Sequence, residues 1–519
     1  MSASGSPKKR RLDHLFLIPP LPDQVTGSRS SRPDGFSQDP GYLASQEELR
    51  GIIFSLAHSA APTRGTSPEG DGSGDVDQIS HRSFPESPLR LDREGQRLHP
   101  SLQPCLSDRR RVDYLKNYVT QVAPWVRSRH VRLSMHLSSG TACLGTVVSG
   151  LVLCNPRNLR PPMEHKNNIQ GSFDSLELYQ EAIRLLSPRL QERDPKIVAA
   201  CVLLCWLEMM SARAQDWRRH LEGCAAVFEA FDISGLGKGS PQDLFWCYAR
   251  MDLCGALISD GTQATLLHPS KWIPQGCCEE DAHGLFLESK SPDMNSNYAL
   301  YLCAKVTELI SDRTKFVELG ESNGCTMEIF SSRWLQHWND LQNWLSERPK
   351  ELLPVETIND KPFLRILFVH FAAIPSNQLY HTAAILLLKM IPKGIKLPRS
   401  PYTSPLWHAR RICGISLTNP HQGCLNYALQ PLWIAGRLFS HPSEHKQITE
   451  LIRDIEIETG WGMPWRIRDL ETAWGTDPIE ERNPYDCTLP RRTYGPFAYT
   501  FALSGIFDDG PAIAQVDQI

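Results

Sequence analysis

The sequence has no Cys-x-x-Cys anywhere in its 519 residues, although it carries fifteen cysteines. Small structural zinc sites announce themselves by such close pairs, completed by a second pair of Cys or His. A zinc-binding DNA module is therefore not encoded within these residues. The cysteine count is odd, and Cys201 and Cys205 sit inside the apolar run "VAACVLLCWLEMM". Both features fit reduced, buried thiols in an intracellular protein better than a disulfide frame. Positive charge is in short supply as well: 55 Lys and Arg face 58 Asp and Glu, a formal net charge of −3. A chain that gripped DNA over its whole surface would be strongly basic. Nucleic-acid contact must then be local or come through a partner. The longest apolar runs, "IVAACVLLCWL" and "AAILLLKMI", fall short of the roughly 18 residues that a membrane span needs. The first apolar stretch, "LFLIPPLP", is too short and too proline-broken for a signal peptide. Gly-x-Ser-x-Gly and His-Glu-x-x-His are missing too, so an enzyme reading has no positive support. "GLGKGS" at 235–240 lacks both Walker-A spacing and a preceding strand, and reads as a link between two helices.

What is there is mostly helix. Hydrophobic residues make up 41% and charged residues 22%, the balance of a globular protein. Residues 1–104 are rich in Ser, Pro, Gly, Asp and Arg ("TRGTSPEGDGSGDVDQ") and read as disordered. Two short features stand out within them. "PKKRRLD" sets Lys8, Lys9, Arg10 and Arg11 in a row, a nuclear-import address or a phosphate-contacting arm, against the plainer reading of a solvated charge cluster. "EELRGIIFSLAHS" has the pattern of one amphipathic helix, either a docking segment or a short helix that frays.

Residues 105–475 read as one closely packed, all-α, multi-helix domain, and 476–519 as an irregular tail. Leu176, Tyr179, Ile183, Leu186 and Leu190 recur at helical spacing. Asp194-Pro195 supplies a cap and a proline at the first helical position. Residues 197–210 are apolar almost all round and should be buried on every side. Ser240-Pro241-Gln242-Asp243 has the form of a capping box with Asp in place of Glu. Further helices are predicted over 296–315, 327–347, 363–373, 376–391 and 424–440, with Pro375 separating the third from the fourth. "SEHKQITELIRDIEIETG", stopped by Gly460, and "MPWRIRDLETAWG" complete the set.

Candidate chemistry is thin. "DWRRHLEGCAAVFEAF" brings His220, Glu222 and Cys224 within five residues. On a helix His220 and Cys224 share a face while Glu222 points elsewhere, so the three cannot converge on one metal. Trp217, Leu221, Cys224, Ala225 and Phe228 form an apolar stripe that places Cys224 in the core and His220 at its border. Gly223 costs about 1 kcal/mol against Ala in a helix interior, which points to a neighbouring helix passing close. Glu208 and Asp252 fall within helices and should be solvated or paired. An unbroken helix would set His370 and His381 about 16 Å apart, and with Pro375 between them they read as two separately placed histidines. Trp334, Trp338, Leu341 and Leu345, flanked by Trp344, form a core or interface stripe. Trp461, Trp465 and Trp474 read as anchors for the final helices. No catalytic, cofactor-binding or metal-ligating residue emerges.

The order of the longer motifs carries a likeness. "LELYQEAIRLLSPRLQERDPKIVAACVLLCWLEMMSA", "DWRRHLEGCAAVFEAF", "DLFWCYARMDLCGALISDGTQATLLHPSKW", "NQLYHTAAILLLKM", "HARRICGISLTNP" and "TGWGMPWRIRDLETAWG" follow one another. Together they resemble the fungal-specific transcription factor domain, the helical regulatory region that follows the zinc binuclear cluster in many fungal activators. The likeness covers about residues 110–475. It implies a nuclear regulator of RNA polymerase II transcription, forming homo- or heterodimers with zinc-cluster relatives. It also implies a small-molecule effector, no membrane partner, and DNA contacted weakly or through a partner. In family members six cysteines hold two zinc ions near the N-terminus, followed by a basic segment, and "PKKRRLD" resembles that segment. Zinc is then expected only if a six-cysteine cluster exists ahead of this sequence. Without one, the alternative is a non-DNA-binding interaction protein, a dominant-negative partner or corepressor of a zinc-cluster factor. The likeness fades over 128–171, where Ser, Gly and Pro stand in place of helix formers; that atypical segment is expected to be intron-derived or mis-spliced.

Overall fold

The computed structural model describes residues 40–60, 109, 178–184, 186, 195–211, 214–237, 239–259, 261–459 and 464–476. The basic run at 8–11, the segment 128–171, Trp461 and the tail beyond 476 lie outside the described residues. The described chain is mainly helical, as the periodicity requires. Helix α1 (Pro40–Ala60) comes first, and a helical stretch at 178–184 follows much later in the chain. Helix α2 (Pro195–Ser211) begins with proline, whose fixed φ suits the first helical position. Every residue from Ile197 to Met209 is buried, so this helix is enclosed on all sides, as its apolar sequence dictates. Helix α3 (Ala214–Ala230) carries the stretch around His220.

Helix α4 (Ser240–Ile258) departs from expectation at its start. The capping box does not form: Gly239, at φ 76, occupies the N-cap position and Ser240 is already helical, so no side chain caps the end. Glycine adopts that positive φ without a steric penalty. Helices α5 (Ala282–Leu287) and α6 (Pro292–Thr314) follow, and a π-helical turn, Lys315–Leu319, extends α6 to the left-handed Gly320. Helix α7 (Met327–Glu347) has the predicted bounds, with the Thr326 side chain accepting from the Ile329 N–H as N-cap.

The helix expected over 363–373 is absent. Residues there form strand β2 (Arg365–Leu367), paired antiparallel with β1 (Glu356–Ile358), Thr357 opposite Ile366. The reason is tertiary. The Ile366 N–H donates to Thr418 Oγ1, the Phe368 N–H donates to Asn419 Oδ1, and Asn419 Nδ2 donates to the Ile366 carbonyl. Side chains more than fifty residues away thus satisfy an extended backbone that a helix would have satisfied locally. Pro375, expected to separate two helices, sits instead in the first turn of a single helix, α8 (Ala373–Lys389), where its missing N–H costs nothing. Helices α9 (Pro405–Thr418), α10 (Gln422–Gly436), α11 (Pro442–Thr459) and α12 (Pro464–Ala473) complete the fold.

Helix α8 is central: α6, α9 and α10 all pack along it, and α4 packs on α2 and α6. One apolar cluster runs from Leu49 to Leu470. The tryptophan stripe of α7 belongs to it, with Trp334 and Trp338 stacked at 5.7 Å and the indole N–H groups of Trp334 and Trp344 donating to the Leu387 and Asn295 carbonyls. Helix α1 is a docked element: Leu49 and Ile53 are 0% exposed against α3. A Cβ on Gly223 would lie 2.8 Å from Ile53 Cγ2, so the close neighbour implied by that glycine is α1. Of the two readings of "EELRGIIFSLAHS", the docking segment is the one that forms. Burying Leu49 and Ile53 contributes roughly 1.5–3 kcal/mol each.

Candidate functional site

The histidine of the α3 stretch lies deeper than its sequence position suggests. His220 is fully enclosed, not at the border of the core. Its Nε2 meets the Cys201 carbonyl at 3.1 Å, which fixes a proton there, and its Nδ1 meets Glu208 Oε1 at 2.9 Å. The Tyr179 hydroxyl donates to the same carboxylate oxygen at 2.6 Å. The Glu208 carboxylate thus bridges the Tyr179 hydroxyl and the His220 ring inside the core. Cys224 is buried nearby and Glu222 is exposed, so the three residues do not converge. Among the described residues, no three His, Cys, Asp or Glu side chains gather as metal ligands would. "GLGKGS" is a structural link: the Gly235 carbonyl accepts from Trp246 Nε1 at 2.7 Å and from Gln242 Nε2, and a Cβ on Gly235 would stand 2.5 Å from the Trp246 ring.

Two buried polar groups were invisible to spacing. Asp252 accepts from the Leu266 and Leu267 N–H groups and the Tyr248 hydroxyl, pinning the loop after α4. Burial raises its carboxyl to about 6 against those bonds, which favour the ionised form. His381 pairs with His408 of α9, not with His370: the two Nδ1 atoms lie 2.8 Å apart. His408 Nε2 donates to the Tyr402 carbonyl, so its Nδ1 is an acceptor and His381 Nδ1 is the donor. Both rings are neutral. Burial first, then Arg411, holds His408 down at about 4, while burial, His408 and Arg411 hold His381 well below its ordinary value.

A pocket of about 40 Å³ opens where α4, α6, α8 and α10 meet. Its walls are aliphatic, from Leu253 and Leu257 on α4, Leu300 on α6, and Pro375 and Leu379 on α8. The polar residues along its wall are Arg250, Ser296, Tyr427 and Gln430. Pro431 lies inside α10 and cannot donate to the Tyr427 carbonyl, so the helix is irregular along this wall. The Arg250 guanidinium donates to the Trp246 carbonyl at 2.8 Å and to Asn297 Oδ1 at 2.7 Å, both neutral acceptors. Gln430 Oε1 accepts from Arg466 of α12, and Arg466 also donates to the Ile258 carbonyl at the end of α4. Sequence reasoning passed over this site. The signal was Arg250 itself, the sole basic residue in a helix that is otherwise largely apolar.

The final helices are anchored by Arg466 and Trp474. Arg466 lies 3.6 Å over the Trp433 ring, and Trp474 stacks on His445 and donates to the Gly436 carbonyl. Trp465 is 37% exposed, with the Arg466 guanidinium 4.1 Å from its ring. No described helix is long and apolar enough to cross a membrane.

The sequence of this mainly helical chain falls in a known class. The fungal-specific transcription factor domain model matches residues 157–480, more than half the chain, and the chain belongs to that family. Among curated proteins it is similar to the transcription activator AMTR1 of Alternaria alternata, 24% identical over 380 residues, covering 58% of this chain and 47% of that protein. The chain thus spans about half the length of the curated relative it matches. No solved structure shows a significant match.

Proposed function

We propose that the chain is a nuclear regulator of RNA polymerase II transcription in which the helical domain is the regulatory and partner-binding module. The family match over 157–480 carries this reading, and the likeness to a transcription activator agrees with it. The domain regulates by holding two arrangements of unequal affinity for a partner or a small-molecule effector; an effector acts only if it binds them unequally. Sequence-selective DNA contact comes from a zinc-cluster module outside these 519 residues, in the same protein or in a dimer partner. Four consecutive basic residues, Lys8 to Arg11, serve nuclear import.

The test is a reporter assay. The full chain, fused to a heterologous DNA-binding domain in a fungal host, should change reporter output at least several-fold. The same fusion with Lys8→Ala, Lys9→Ala, Arg10→Ala and Arg11→Ala should lose nuclear accumulation of a fluorescent tag. A fusion that enters the nucleus and leaves every reporter unchanged would overturn the regulatory reading. Unaltered nuclear entry of the quadruple variant would overturn the role given to the basic run.

A further inference from the structure

We infer that the pocket between α4, α6, α8 and α10 binds a small aliphatic carboxylate, with Arg250 taking its anionic end. The inference rests on the regulatory reading and gives the effector a chemical class. Charge is the first argument. Arg250 is only partly exposed, both of its hydrogen-bond partners are neutral, and it forms no ion pair among the described residues. A cation drawn partly out of water without a counter-ion favours an anion at its free face. Only two of the five guanidinium N–H groups are used by Trp246 and Asn297, and the planar fork suits a carboxylate.

Chemistry of the walls is the second argument. Leu253, Leu257, Leu300 and Leu379 offer aliphatic contact, so the part of the ligand beyond its charge is hydrocarbon. Size is the third. A water occupies roughly 10–15 Å³ by the same measure, so 40 Å³ holds about three waters. That volume suits a carboxylate bearing a chain of a few carbons and is far below the roughly 300 Å³ of a drug-sized site. A polyphosphate or nucleotide needs more room and more than one cation, and an amine is repelled by Arg250.

The site has a built-in outlet. Gln430 lines the pocket and accepts from Arg466, which also holds the end of α4 and stacks on Trp433. A ligand that moves Gln430 therefore moves the seat of α12.

The experiment is thermal unfolding of the purified full chain with isobutyrate and with isobutyramide, its neutral isostere, each at 10 mM and constant ionic strength. Isobutyrate should raise Tm by about 2–4 °C, the shift expected when the ligand is present well above its Kd. Isobutyramide should leave Tm unchanged. Arg250→Gln should abolish the response, and so should Leu379→Phe, which extends a ring into the cavity while leaving the guanidinium in place. Leu379→Phe decides the matter if Arg250→Gln does not fold. Equal shifts by acid and amide, no shift with isobutyrate, or an undiminished response in Leu379→Phe would overturn the proposal. Binding that leaves the reporter fusion unmoved would sustain the site and count against the regulatory reading instead.

Discussion

Lowering the pH from 7 to 5 should tax the fold at one buried pair of rings. His408 is held at about 4 in the folded protein, against an ordinary value near 6.5. A base whose folded pKa is depressed contributes stability above its unfolded pKa, and that stability is lost as pH falls from about 6.5 towards 4. By pH 5 the unfolded chain has taken up nearly a full proton at this position while the folded chain has taken up almost none. At 1.36 kcal/mol per unit, the loss between pH 7 and pH 5 is about 2 kcal/mol. Geometry supplies the cause: with His408 Nε2 committed to the Tyr402 carbonyl, a proton on Nδ1 would face the donor of His381 at 2.8 Å. His381 would have to move its own proton to Nε2. Arg411 and Arg348 disfavour a further positive charge on the pair, and the Tyr380 ring lies edge-on to both imidazoles.

Asp252 opposes this trend. Its folded pKa of about 6 lies above the ordinary 3.8, so the folded state gains protons first as pH falls, and the fold gains about 1 kcal/mol over the same interval. The wild-type protein alone would therefore show a muted response. The informative quantity is the difference between wild type and His408→Gln, in which the Asp252 contribution cancels. Urea unfolding at pH 7 and pH 5 should show the wild type losing about 2 kcal/mol more than the variant. Equal pH dependence in the two proteins would refute the reasoning.

Other outcomes follow from the packing. Ile53→Ala should cost about 2–4 kcal/mol by chemical denaturation, as a fully buried Ile is truncated. Gly223→Val should lift α1 from α3 and make residues around Arg50 sensitive to trypsin while the rest of the domain resists; unchanged protection would mean that α1 is not seated there. Among the described cysteines, Cys277 and Cys278 are the exposed ones, whereas burial raises Cys247 to about 11 and Cys303 and Cys424 to about 12. Brief alkylation at pH 7.5 followed by mass spectrometry should therefore modify 277 and 278 well before those three. Deleting residues 461–475 removes Arg466 and the fully buried Leu470 and should unfold the domain; an unchanged Tm would show that the last helix is dispensable.

The parts that sequence conveyed were those decided locally. Helix α7 matched at both ends because Thr326 caps it and its apolar stripe has one period throughout. Helix α2 was legible because an all-apolar helix has only one place to go. The misplaced helix at 363–373 fell on a short apolar run, "FLRILFVHF", for which periodicity cannot separate strand from helix. Thr418 and Asn419 decided the matter from across the fold. The partner of His381 is 27 residues away on another helix, and no spacing rule reaches that far. The pocket needed four helices to exist before Arg250 had anything to face, so only the oddity of one base among apolar neighbours was readable beforehand.

The seating of α1 bears on how the molecule should be cut. The family match begins at residue 157, yet Leu49 and Ile53, more than a hundred positions upstream, fill space against Gly223. A fragment trimmed to the matched segment would bare a greasy strip along α3 and should clump in solution. Supplying residues 40–60 as a separate synthetic peptide should restore its solubility.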